Sequence, residues 1–207
     1  MESKFNEQES LQLINQMINQ AKSNLQTTSS SSLIFWGYTV SLAAILNFIL
    51  MHVLNHSYDS FHVWWLMVPA TIISLIMEKN RKKKALVTTH LDNIIASVWL
   101  GFLISVITLL LTSCGLVFTV KSWNIVLVIT PIILTLMGLA QFATAAACKY
   151  KPFYYSAYIF WGGAIFCMLS FLILNRGDVQ FIILAVCMIL GFCIPGHIIN
   201  RKIKKNV

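Results

Sequence analysis

Residues 33–54 read LIFWGYTVSLAAILNFILMHVL, a run without a single Asp, Glu, Lys or Arg. A helix rises about 1.5 Å per residue, so a run of this length covers the roughly 30 Å of hydrocarbon in a bilayer. Five further stretches read the same way: Phe61–Met77, Ile94–Leu111, Asn124–Cys148, Phe153–Leu174 and Phe181–Ile199. Lipid tails offer backbone N–H and C=O groups no partners, so each stretch must be a helix that satisfies its own bonds. The expected fold is therefore all-α: a polytopic bundle of six transmembrane helices in three hairpins, over residues 33–199. The second stretch is short and is expected to run on to Glu78. The helix carrying the third is expected to begin near Ala85. It should break near Gly115, because continuing to Val120 is too long for one crossing.

Composition agrees. The chain has 207 residues, of which 57% are apolar and 11% charged, and its mean hydropathy is +0.75. Soluble domains carry about 25% charged residues. So small a charged fraction cannot cover a water-soluble globule, which excludes a soluble enzyme or a nucleic-acid-binding domain. The net charge of +8 reports membrane threading instead.

Six crossings put both termini on one side. That side carries Lys4 and Lys22, then Lys79, Arg81, Lys82, Lys83 and Lys84, then Lys149 and Lys151, then Arg201, Lys202, Lys204 and Lys205. The other side carries Lys121 and Arg176. Short basic loops stay in the cytoplasm. The reading is a multi-pass protein of the inner membrane with cytoplasmic N and C termini: residues 1–32 lead, and residues 200–207 form a basic tail. The first 32 residues are polar, with Glu2, Glu7 and Glu9, and lack the apolar core of a signal peptide, so span one directs insertion. Trp64, Trp65 and Trp123 fall near outer interfaces, where amphipathic rings settle.

Residues 7–28 read as a cytoplasmic amphipathic helix. Asn6 and Glu9 resemble a capping box, and Leu11, Ile14, Ile18, Ala21 and Leu25 follow a three-four seam. The flanking faces carry Gln and Asn, with Lys22 as their cation, whereas a helix lying on anionic lipid carries many Lys and Arg. The seam therefore suits protein: the chain's own bundle, a second copy, or a cytoplasmic partner. The hydroxyl-rich junction Thr27–Ser32 is either a hinge or a helix whose hydroxyls bond back to carbonyls.

The spans also hint at a parallel threefold repeat. Trp36, Trp99 and Trp161 recur at intervals of 63 and 62 residues, and Pro69, Pro131 and Pro195 at 62 and 64. Against this, Pro195 lies near the end of its span while Pro69 and Pro131 lie eight or nine residues in.

Candidate chemistry gathers in several places. His52, His56, Asp59 and His62 bracket the first outer turn, where imidazole and carboxylate can hold zinc or sense protons; the plain alternative is a polar loop. His90 and Asp92 enter span three, and His197 lies near the inner end of span six. These ionisable groups in or beside a membrane helix are functional candidates, although Asp92 can instead meet Lys83 or Lys84 at the interface. Asn47, Thr135 and Gln141 are polar at depth and would line a solute path, or simply hydrogen-bond between helices. Cys114, Cys148, Cys167, Cys187 and Cys193 are scattered and read as free, packed thiols. No nucleophile elbow, HExxH, paired carboxylates or phosphate loop is present, so no reaction, and apart from the zinc alternative no cofactor, is expected.

The Phe35-Trp36-Gly37 opening of span one and the Ile194-Pro195-Gly196-His197 close before Arg201-Lys202 make the chain resemble small multi-span bacterial inner-membrane proteins without assigned activity. The resemblance carries over no functional residue. The functional expectation is an interaction or regulatory component of the membrane that docks through its lead helix. The alternative is a small-solute or ion transporter with a polar cavity at mid-depth.

Overall fold

The computed structural model describes residues 7–54, 58–84, 90–120, 125–174 and 176–205, with side chains for 30–54, 59–80, 90–120, 125–174 and 176–201. All regular structure among the described residues is helical: α1 (Glu7–Val53), a 3-10 helix (Tyr58–Leu66), α2 (Met67–Lys84), α3 (His90–Val120), α4 (Val126–Cys148), α5 (Lys151–Leu174), α6 (Val179–Met188), a π-helical turn (Ile189–Cys193) and α7 (Ile194–Lys205). Six segments are long and apolar enough to cross a bilayer, so the chain is a multi-pass membrane protein. Below, the end of the bundle that carries the termini is the basic end, and the opposite one is the far end.

Three boundaries differ from expectation. The second span does not start as an α-helix at Phe61. Its first turns are the 3-10 helix Tyr58–Leu66, whose tighter winding buries Ser60 and packs Phe61 and Trp64 on Phe181. The third span does not break at Gly115; α3 runs for 31 residues, from His90 to Val120. At about 1.5 Å per residue this exceeds the hydrocarbon thickness, so the helix must tilt or protrude. Glycine ends helices in water partly because water takes the freed backbone groups; lipid does not. The residues expected to precede α3, from Ala85 to Thr89, lie outside the described ones. Finally, α1 passes through Thr27–Ser32 as one 47-residue helix, so the junction is helical and is not a hinge. The side chains of the seam Leu11, Ile14, Ile18, Ala21 and Leu25 lie outside the described residues.

The core is built from α1, α4, α5 and the broken last span. Ala44, Leu134, Ala145, Ala157, Phe160 and Met188 are completely buried there. The largest interface joins α4 to α5, because the turn between them is only Lys149–Tyr150. Lys149 takes the left-handed conformation (φ 50°) and donates its N–H to Ala145 O, closing α4; Pro152 then sits in the first turn of α5, where its missing N–H costs nothing. The last span is interrupted for a physical reason as well. Pro195 has no N–H to give, and Ile194 N–H reaches back five residues to Ile189 O, a π turn. That turn seats Phe192 edge-on to Phe160, with ring centroids 4.9 Å apart, and against Trp99 of α3 at 5.8 Å.

Close approach at glycine sets the spacing of the core helices. A Cβ on Gly37 would stand 2.5 Å from Cys193 Sγ, and one on Gly191 would stand 2.6 Å from the Phe160 ring. Gly138 lies equally tight against Trp161, and Gly163 against Cys187. By contrast, a Cβ on Gly101 or Gly115 of α3 would meet nothing within 4 Å. The three repeat-spaced tryptophans do not share one environment. Trp36 Nε1–H donates to Ser74 Oγ of α2 at 3.1 Å, Trp161 Nε1–H donates to Thr135 O of α4 at 3.2 Å, and Trp99 stacks on Phe192. Three equivalent hairpins are not seen among the described residues.

Gly191→Ala should destabilise the bundle by about 1–3 kcal/mol through overpacking against Phe160. Gly101→Ala and Gly115→Ala should leave stability unchanged or raise it by up to about 1 kcal/mol per site from helix propensity. Thermal or steric-trap unfolding in mild detergent measures both.

Candidate functional site

The polar cluster at the far end is the best-defined constellation of charged side chains in the described protein. It starts from the loop Arg176-Gly177-Asp178 between α5 and α6. Gly177 presses on Leu127 of α4, which holds the loop inward and leaves Asp178 only 7% exposed. A carboxylate buried this far needs partners. Arg176 supplies a two-pronged one: Nη2–H donates to Oδ2 at 2.7 Å and Nε–H to Oδ1 at 3.2 Å, the fork that guanidinium geometry favours. Burial raises the Asp178 pKa, but the hydrogen bonds and charge of Arg176, with a smaller pull from His52, outweigh it and hold the carboxyl below its ordinary value. The same contact raises the Arg176 pKa.

His52, in the last turn of α1, completes the cluster from across the bundle. Its Nε2 lies 3.5 Å from Asp178 Oδ2. Its Nδ1 lies 2.9 Å from Phe48 O; a carbonyl only accepts, so Nδ1 carries the proton. Protonation of Nε2 would then add a second cation facing Asp178. The cluster thus ties span one to the loop that opens the last span. From the 3-10 helix packed on α1, Asp59 and His62 are exposed at this same end.

The residues singled out in the sequence fare differently. Of the zinc set His52, His56, Asp59 and His62, His56 lies outside the described residues, and His52 turns to Asp178. No three His, Cys, Asp or Glu side chains converge among the described residues. At the start of α3, His90 is exposed and Asp92 half-buried. His197 Nε2 lies 3.0 Å from Tyr38 Oη, joining α7 to α1.

The three residues expected to line a path are not joined to one another. Asn47 and Gln141 are both 0% exposed, and their side-chain amides have no hydrogen-bond partner in the protein. Asn47 lies six residues before the far end of α1, and Gln141 seven residues before the basic end of α4, so they occupy opposite halves of the bundle. Thr135 O–H donates to Pro131 O at 2.8 Å. Thr135 also lines an open, largely apolar groove of about 380 Å³ between α4 and α5, with Pro131, Ala164 and Met168.

Sequence reasoning misses Asp178 and counts Arg176 only as a topology charge. The available signal is an acid and a base two residues apart in a short loop between apolar runs. Their partner His52 is 126 residues away, and no spacing rule reaches it. Comparison of the chain with protein-family models, curated proteins and solved structures gives no match.

Because the folded carboxyl titrates below its ordinary value, its contribution to stability is complete above about pH 3.9 and is lost as pH falls through the lower folded value. Asp178→Asn should lower stability at neutral pH by roughly 1–3 kcal/mol, the scale of a charge-assisted hydrogen bond. Its deficit relative to wild type should shrink as pH drops below about 4. Thermal unfolding in detergent between pH 7 and pH 3 reads both.

Proposed function

We propose that the chain is a non-enzymatic interaction component of a bacterial inner membrane, with cytoplasmic termini, which associates laterally with another transmembrane helix through α3. A second copy of the chain is the first candidate for that helix. The lead helix, continuous with span one, serves as the cytoplasmic contact for a second copy or a soluble partner.

The supporting observation is the surface of α3. One seam of this helix (Ile95, Val98, Phe102, Leu109 and Ser113) is turned away from the exposed surface, on the side of its neighbour α4, and of these Ser113 is buried. A separate face carries Ser97, Gly101, Thr108, Thr112, Gly115 and Thr119, all exposed, at intervals of three, four or seven residues. The hydroxyls return their protons to their own helix: Ser97 to Asn93 O, Thr108 to Ile104 O, Thr112 to Thr108 O and Thr119 to Gly115 O, at 2.8–3.0 Å. The strip is therefore small except at Ile104, which stands between Gly101 and Thr108 and is 56% exposed, and its hydroxyls are not left dangling. Such faces let two membrane helices approach closely, where van der Waals contact and weak Cα–H bonds replace the missing hydrophobic force. Lipid tails pack poorly on such a surface compared with a second helix.

A second reading, transport, is favoured by one observation: Asn47 and Gln141 are enclosed amides without protein partners, which invite internal water. The groove beside Thr135 is apolar and open to the side, so it adds nothing to that reading.

The test is cross-linking in native membranes, in a background with all five cysteines replaced. Thr112→Cys should form disulfide-linked dimers, and Phe102→Cys, on the α4-facing seam, should not. Adding Gly101→Ile and Gly115→Ile, which have room on the isolated chain, should lower the yield at least tenfold, corresponding to about 1.4 kcal/mol. Equal cross-linking from both cysteine positions, or an unchanged yield with both isoleucines, rejects lateral association through this face.

A further inference from the structure

At the basic end, the seam between α1 and the last span carries polar groups on its outer edge. Tyr38 is 52% exposed on α1, and the exposed His197 meets it from α7, with Oη and Nε2 3.0 Å apart and rings edge to face. One turn further, at i+4 and so on the same side of α7, Arg201 is exposed at the end of the last span. His197 lies about 6 Å deeper along the helix. Away from the basic end the exposed side chains turn apolar: Leu42 and Ile45 on α1, Leu190 and Ile194 on the last span. The sequence of α7 contains no Asp or Glu, and after Arg201 it continues with Lys202, Lys204 and Lys205.

Tyr38 and His197 satisfy one another, and their remaining polar atoms, exposed toward the basic end of the two spans, can snorkel to headgroups. A guanidinium one helical turn from an imidazole, and a phenol that meets this imidazole from α1, are donors suited to phosphate. The apolar rows beside them run along the direction of an acyl chain. The positive charge of α7, whose own sequence holds no acid, selects among headgroups, because a zwitterionic lipid returns a cation to the site and an anionic one does not. We propose that Tyr38, His197 and Arg201 form a site for the phosphate of an anionic glycerophospholipid, whose acyl chain lies against Leu42 and Ile194. Arg201 supplies the charge; the Tyr38–His197 pair, one of whose protons lies in their mutual bond, supplies a directed donor and bridges α1 to α7. The bound lipid staples the first span to the last at the end where the termini emerge.

The test uses the full chain in nanodiscs of phosphatidylcholine with or without phosphatidylglycerol, followed by native mass spectrometry of retained lipid. Wild type should hold one phosphatidylglycerol in preference to phosphatidylcholine. Arg201→Gln should weaken retention about tenfold. Tyr38→Phe leaves the charge unchanged and should still weaken it roughly three- to tenfold, the value of one hydrogen bond. Lys151→Gln removes the same charge from α5 at this end and should have no effect. Thermal unfolding of each variant confirms that the fold persists. Equal retention of both lipids overturns the site. So does a silent Tyr38→Phe with Lys151→Gln as damaging as Arg201→Gln, since that pattern marks general attraction between a basic surface and an anionic membrane.

Discussion

Lipid tails are as apolar as leucine, so a helix in a bilayer gains little by burying leucine against another helix. What remains is contact: how closely two helices approach and how few voids they leave. The core of this protein is built around that constraint. Glycine or alanine stands where the described spans press together most closely: Gly37 at Cys193, Gly138 at Trp161, Gly163 at Cys187, Gly191 at Phe160. Ala44, Ala145 and Ala157 are completely buried in the same core. The hydrogen bonds that join these spans are modest: Ser41 O–H to Ala185 O at 3.1 Å, and the two tryptophan bonds. Each such bond is worth roughly 0.6 kcal/mol in a membrane, so they tune an arrangement that packing makes.

Ionic contacts obey the opposite rule, because their strength rises as water is excluded while their desolvation cost rises too. The forked ion pair of Arg176 with Asp178 sits at the far end, where the guanidinium stays half in solvent while the carboxylate is enclosed. Span one then reaches the same carboxylate through His52. At the other end, the first and last spans meet through Tyr38 and His197. The seam between them is thus pinned by polar pairs at both interfaces and by small-residue contact in the middle. This closure determines which spans become peripheral. With α1 joined to α6 and α7, and α5 between α4 and the last span, among the described residues α2 packs mainly on an edge of α1 and the 3-10 helix, and α3 mainly on α4 and the ring of Phe192.

How much of this is legible in the sequence follows from the range of each interaction. The six spans are legible because transfer into lipid is summed along the chain, and a window of residues suffices. The end of a span is less so: Phe61–Met77 reads as α-helix throughout, whereas the tighter turns at Tyr58–Leu66 arise from packing on α1 and Phe181. Gly115 reads as a break from the behaviour of glycine in water, while α3 runs straight past it. Among the site residues, His52 stands out together with its neighbours in sequence, but its partner in space, Asp178, comes from the opposite end of the chain. His197 stands out as ionisable, but nothing local predicts Tyr38. Asn47 and Gln141 are polar at depth, and the opposite directions of spans one and four already place them in different halves of the bundle; only the packing shows that both amides are fully enclosed without a protein partner. Periodicity overreaches once, in Trp36, Trp99 and Trp161, since equal spacing along a chain does not require equal surroundings.

One exposed strip of the peripheral helix α3 differs in kind from its packed seam, while the rest of its exposed surface is large and apolar, with Leu100, Leu103, Leu110 and Phe118. The seam toward α4 carries Ile95, Val98, Phe102 and Leu109, branched and aromatic side chains that fill space between helices. The face carrying Ser97, Gly101, Thr108, Thr112, Gly115 and Thr119 is exposed and keeps its hydroxyls occupied within the helix. If lipid alone met this face, large apolar side chains would serve better: they favour insertion, and glycine in a helix costs about 1 kcal/mol against alanine. Two glycines with open space beyond them therefore weaken the isolated helix without any compensating contact. A second helix, seated where no Cβ stands, would offset that loss by van der Waals contact, as the neighbours of Gly37, Gly163 and Gly191 do inside the bundle.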